Sequence, residues 1–182
     1  MLLLACVLFS GCRQPVIIPD MDTAEEQYNI ATQQYQDFTS PILSHRIEQR
    51  DELGRKSLAA FNNVITRFPS EKKFVAWSEY YIAEIYKREG KSRKALGLFD
   101  ELTRKYPDNE MITVLSLKEC GDLNDDLKRH EKAKECYNEV IKQFGKSQND
   151  DVKRIVEYCA TQYKKVWGKD IRPATAPRKG VK

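Results

Sequence analysis

A chain of 182 residues with 32% charged and 41% hydrophobic side chains can build one core, as a globular or helical-repeat protein does. Only 8 Gly and 7 Pro punctuate it, too few turn formers for a many-stranded sandwich or barrel. The formal charge of +4 gathers at the C-terminus, where seven basic residues from Lys164 onward face Asp170 alone. No basic stripe with interleaved aromatics runs through the body, which argues against nucleic-acid binding.

Residues 1–12 read MLLLACVLFSGC, an apolar run too short to span a bilayer as a helix but fit for the apolar region of a signal peptide. Phe9-Ser10-Gly11-Cys12 resembles the lipobox of bacterial lipoproteins. The resemblance implies removal of residues 1–11 and acylation of Cys12, hence a membrane partner through that anchor. Arg13 follows the cysteine where an inner-membrane retention signal has Asp, so the expected location is the periplasmic face of the outer membrane. Residues 12–22, with Pro15 and Pro19, form a lipidated, extended tether in this reading.

The body, 23–167, is dominated by self-similarity. KSLAAFNNVITRFP from Lys56, RKALGLFDELTRKYP from Arg93 and EKAKECYNEVIKQFG from Glu131 align at a spacing of 38 residues. Phe61, Phe99 and Tyr137 share one column, Val64, Leu102 and Val140 a second, and Phe68, Tyr106 and Phe144 a third. Apolar residues recur at three and four positions within each segment, the pattern of one helix face. Helical patterns from Ala76 and Val114 precede the second and third segments, so the unit is helix, turn, helix. The first unit pairs a helix near residue 55–68 with one from Ala24, around a stretch carrying Pro41, an inserted helix at 42–52 and Gly54. A last helix at 150–167 caps the stack, and 168–182 follow as a basic, disordered tail.

Residues 76–109 resemble a tetratricopeptide repeat: Ile82-Ala83, Tyr86, Ala95, Phe99 and Pro107 fall at that family's spacings, with Glu79 at its early Trp position. Residues 114–147 follow with Gly121, Ala133 and Tyr137. The resemblance implies an all-α tetratricopeptide-type solenoid of about three helix-turn-helix repeats plus a C-terminal capping helix. The Ala-Glu-Glu-Gln-Tyr start and the Arg-Phe-Pro and Lys-Tyr-Pro helix ends make 24–165 similar to an envelope subset of the family. That subset includes the β-barrel assembly lipoprotein (BamD-like) and the TolA-binding periplasmic protein. It implies a non-catalytic adaptor that binds a protein or peptide partner in the cell envelope. The alternatives are a Tol-Pal or peptidoglycan coordination factor, or a cytosolic chaperone or regulator if the start is misread.

In such a fold the first helix of each unit lines a concave groove. The family's groove positions fall here on Trp77, Tyr80, Glu84, Lys87 and Arg88, then on Leu115, Lys118, Asp122, Asp125 and Asp126. An aromatic pair beside alternating charge suits a peptide or helix with an apolar anchor and a basic residue. Against this, Trp77 and Tyr80 also suit packing on the preceding repeat, and Asp125 and Asp126 a solvated turn. Cys120, Cys136 and Cys159 remain after processing, leaving open a Cys120–Cys136 bridge or three buried thiols. There is no Gly-rich phosphate loop, no Gly-x-Ser-x-Gly and no His-Glu-x-x-His. His45 and His130 stand in charged stretches. The expectation is no enzyme, no cofactor, no metal and no small-molecule substrate.

Overall fold

A computed structural model describes residues 16–43 and 46–170, the last four as backbone alone. The expected signal peptide, Cys12, His45 and residues 171–182 of the basic tail lie outside the described residues. Among the described residues seven helices follow one another: α1 (Ala24–Thr39), α2 (Ile47–Arg67), α3 (Lys72–Arg88), α4 (Ser92–Lys105), α5 (Glu110–Asp126), α6 (His130–Phe144) and α7 (Asp150–Asp170). No strand occurs among the described residues.

Each helix packs on the next, and α1–α3, α3–α5 and α5–α7 also touch, whereas no two even-numbered helices do. The odd helices therefore form a closed inner layer and the even helices an open outer one, so the stack curves toward the odd side. Three core clusters follow the repeats: Phe38, Phe61 and Val64 in the first, Phe99, Leu102 and Ile112 in the second, Tyr137, Val140 and Val152 in the third. Ala83 and Ala95 are both fully buried in the second cluster, the small side chains that allow α3 and α4 to lie close.

The turns repeat as the columns do. Gly90 closes α3 with positive φ, its N–H on Lys87 O and that of Lys91 on Tyr86 O, a Schellman pair. Lys128 takes the same role after α5 with φ 62°, its N–H on Asp125 O and that of Arg129 on Asn124 O. Helices α4 and α2 stop at Tyr106 and Phe68, each bonding back to the residue four before, with proline next in sequence.

Three details depart from the sequence reading. Helices α3 and α5 begin at Lys72 and Glu110, about one helical turn before the patterns from Ala76 and Val114. The expected inserted helix and the following helix are one continuous α2. Gly54 does not break it: a Cβ there would lie 2.9 Å from Glu89 Oε1 and 3.2 Å from Phe38 Cε2, so the glycine admits α1 and the α3–α4 turn. The N-terminal segment is tied down at 18–21. The fully buried Gln27 donates to Pro19 O (3.1 Å) and accepts from Met21 N (3.0 Å) and Arg67 Nη1 (2.8 Å), while Asp20 pairs with Arg67 at 3.2 Å.

Glu79, at the family's Trp position, makes a polar tie in place of an aromatic one. Its carboxylate accepts from Lys105 Nζ (2.5 Å) and Tyr106 OH (2.9 Å), fastening α3 to the end of α4.

Candidate concave interaction surface

Helices α3, α5 and α7 enclose an open cavity of about 510 Å³ on the inner layer. Its lining is mainly apolar: Trp77 from α3, Met111 and Leu115 from α5, Ile155 and the Tyr158 ring from α7. Lys118 lies at one end, and the Asp151–Arg154 ion pair marks the other. Trp77 is half-buried and held edge-on by Tyr80, with ring centroids 5.7 Å apart. The edge-on contact braces the indole where it forms part of the cavity wall.

Beside the cavity runs a polar chain across the inner layer. Arg88 Nε donates to Tyr35 OH on α1 (2.9 Å), and Glu84 accepts from Lys87 Nζ (2.7 Å). The same Lys87 Nζ reaches Glu119 on α5 (2.6 Å), whose other oxygen accepts from Lys118 (2.7 Å). Lys118 also pairs with Asp122 (2.9 Å), and Asp122 accepts from Tyr137 OH (2.7 Å) and Tyr158 OH (2.9 Å). Three carboxylates therefore meet three cations, and the side chains of Glu84 and Glu119 are only 9% and 6% exposed. Carboxylates so deeply placed need such partners, because an uncompensated buried charge is costly. Burial alone would lower the Lys118 ammonium's pKa, but Glu119 and Asp122 raise it above the ordinary lysine value. Burial, then the Glu84 charge, pushes the Tyr35 phenol up to about 12.

The structure separates the ten residues singled out in the sequence. Trp77, Leu115 and Lys118 meet in the cavity. Glu84, Lys87, Arg88 and Asp122 join Lys118 in the polar chain. Tyr80 is 7% exposed and packs on Phe99 at 5.6 Å, as a core residue. Asp125 bonds His130 Nδ1 across the α5–α6 turn (2.8 Å), and Asp126 is exposed at the end of α5. Met111, Ile155, Tyr158 and Glu119 were not foreseen. For Ile155 and Tyr158 the signal was a helix spacing that lengthens: α3 and α5 begin 38 residues apart, α5 and α7 40 apart. A search at 40 would have set Ile155 against Leu115 and Tyr158 against Lys118.

Among the described residues the three cysteines are free thiols, Cys120 and Cys159 buried and Cys136 half-buried. Burial pushes Cys136 up to about 11 and Cys159 up to about 12, which suppresses thiolate chemistry at neutral pH. Among the described residues no group of His, Cys, Asp or Glu could hold a metal ion, and no helix is long and apolar enough to cross a membrane.

A tetratricopeptide repeat family model matches residues 77–109 and 121–147, which cover most of α3 with α4, then the end of α5 with α6. No curated protein and no solved structure matches the chain. Such repeats typically act in protein–protein interaction and not in catalysis. The described residues form helix-turn-helix pairs consistent with an all-α solenoid of the tetratricopeptide type.

Proposed function

We propose that this protein is a lipid-anchored adaptor on the periplasmic face of the bacterial outer membrane, holding a partner protein during envelope assembly. The observation that carries the reading is the mainly apolar cavity between Trp77, Leu115 and Ile155 on three inner helices. A partner's apolar side chain would seat there, since buried apolar anchors supply most of the affinity in such contacts. The polar chain beside it is already neutralised internally, so it serves to hold the inner helices in register. A basic residue of the partner would have to compete with Lys87 and Lys118 for their carboxylates. Acylation at Cys12 would confine the adaptor to the membrane surface and raise its effective concentration there. The lipobox-like Ser10-Gly11-Cys12 and the likeness of 24–165 to the envelope subset support that setting.

The test combines a photo-crosslinking residue at position 115, a second at exposed Glu101 on the outer layer, and Cys12→Ser, all in a bacterial host. The expected result is an envelope protein crosslinked from position 115 alone, and release of Cys12→Ser from the membrane fraction. Equal crosslinking from both positions would reject the concave face as the binding site. An unprocessed, soluble wild type would reject the anchor.

A further inference from the structure

The antiparallel order of the helices brings the α2–α3, α4–α5 and α6–α7 links to one edge of the stack. A groove of about 1000 Å³ lies there, lined mainly by the first two of these links and the adjoining helix ends. It is about twice the size of the concave cavity and shares Met111 with it. Val75 is buried, and Ile65, Tyr106 and Met111 are half-buried, so the depth of the groove is apolar. Pro69 and Pro107 are exposed and stand at its rim.

Charge is segregated across this groove. On one wall Lys72 and Lys73 open α3, whose first turn holds no acidic residue. Glu71, the residue before them, does not line the groove. On the other wall stand Asp108 of the α4–α5 link and Glu110, the first residue of α5. All four side chains are exposed, and among the described residues none of them forms an ion pair. Lys73 only overlies the Phe74 ring, at 5.5 Å. The remaining charges of the lining, Lys105 and Glu79, are already joined to each other (2.5 Å). The groove thus keeps two cations and two anions of one chain too far apart to neutralise each other.

We propose that this edge joins two copies of the chain about a two-fold axis. In a contact of that symmetry the same patch meets itself, so residue i faces j and j faces i. One copy carries both halves of the pairing. Lys72 and Lys73 of each copy meet Asp108 and Glu110 of the other, and the pairing occurs twice. The α4–α5 link, with Pro107 and Asp108 exposed, is the ridge that enters the second copy's groove and covers its apolar depth. A uniformly acidic or uniformly basic ligand would be repelled by one wall, whereas a second copy offers the opposite sign to each. The proposal goes beyond the adaptor reading and does not rest on acylation.

The test uses the full chain carrying Cys12→Ser, so that no acyl group drives association. Sedimentation equilibrium compares this chain with a Lys72→Glu, Lys73→Glu variant and an Asp108→Lys, Glu110→Lys variant. Expected is a dimer that weakens as salt screens its charges. Either variant alone should lose affinity by about tenfold or more, with unchanged circular dichroism. An equimolar mixture of the two should regain it, since an all-acidic edge then meets an all-basic one. In the parent chain, carbodiimide crosslinking of isotope-labelled with unlabelled copies should join Lys72 or Lys73 of one copy to Asp108 or Glu110 of the other. A parent chain that stays monomeric at every concentration would overturn the proposal. Variants that associate as the parent does, a mixture no tighter than its components, or crosslinks confined to single copies would each overturn it too.

Discussion

Gly121 and Tyr137 meet across the α5/α6 pair so closely that a Cβ on residue 121 would stand 2.4 Å from Tyr137 Cε1. The same ring sends its hydroxyl to Asp122 on the inner layer, so one contact links the core of the repeat to the polar chain. In the preceding repeat Ala83 occupies the corresponding column, opposite Phe99.

Gly121→Ala should therefore destabilise the protein by about 1–3 kcal/mol, the usual cost of forcing a methyl group into a packed core. The gain in helix propensity, about 1 kcal/mol, is too small to offset a contact this short. Urea denaturation measures the difference. A variant as stable as the wild type would mean that Tyr137 can move aside without loss.

Lys128→Gly should act in the opposite direction. Lys128 holds φ 62° in the turn where the repeat before it has Gly90. Left-handed backbone costs a residue with a Cβ about 1–2 kcal/mol, and the greater freedom of glycine in the unfolded chain returns part of this. A net gain of about 1 kcal/mol should raise Tm by roughly 2–4 °C in a chain of this size. Calorimetry with an unchanged or lower Tm would contradict the strain argument.

Lys87→Met removes the cation that Glu84 and Glu119 share between α3 and α5. Both carboxylates lie deep, and losing one member of such a pair costs about 3–5 kcal/mol. The expected loss lies near the lower end, about 3 kcal/mol, because Lys87 itself is 28% exposed. Adding Glu119→Gln to Lys87→Met should recover part of the loss, and a double variant no better than the single would refute the shared-cation account.

The buried phenols predict an alkaline limit. Burial raises Tyr35 from its ordinary 10.0 to about 12 and also pushes Tyr28, Tyr80 and Tyr137 upward. A pKa raised in the folded state means the unfolded chain loses its proton first. The stability tied to the neutral phenols is therefore complete below about pH 10 and drains away as pH climbs toward 12. The urea midpoint should fall steeply above about pH 10, after a shallower decline that the buried thiols begin near 9, together with delayed tyrosinate absorbance. A midpoint independent of pH up to 12 would show these rings to be solvated.

The repeat architecture was legible because it rests on local periodicity. The 38-residue columns Phe61, Phe99 and Tyr137, and Val64, Leu102 and Val140, are the cores of three successive units, all but fully buried. The concave surface was legible only in part. Trp77, Leu115 and Lys118 follow from position within a repeat, but burial depth does not. Tyr80 is one helical step from Trp77 and yet faces Phe99, because α4 and α5 both close over it.

What the sequence determined by itself is whatever repeats or is local: helices, their stops at Phe68-Pro69 and Tyr106-Pro107, and the pairing of each helix with the next. Apolar periodicity and backbone chemistry act within a few turns, so a reader of residues alone can recover them. Only the tertiary structure decided which charges are spent. Lys87 and Glu119 are 32 residues apart and meet only because α3 and α5 share the inner layer. Ile155 and Tyr158 enter the cavity only because α7 joins that layer two residues later than the repeat foretells. Desolvation and ion pairing depend on neighbours from separate helices, and those neighbours exist once the helices have stacked.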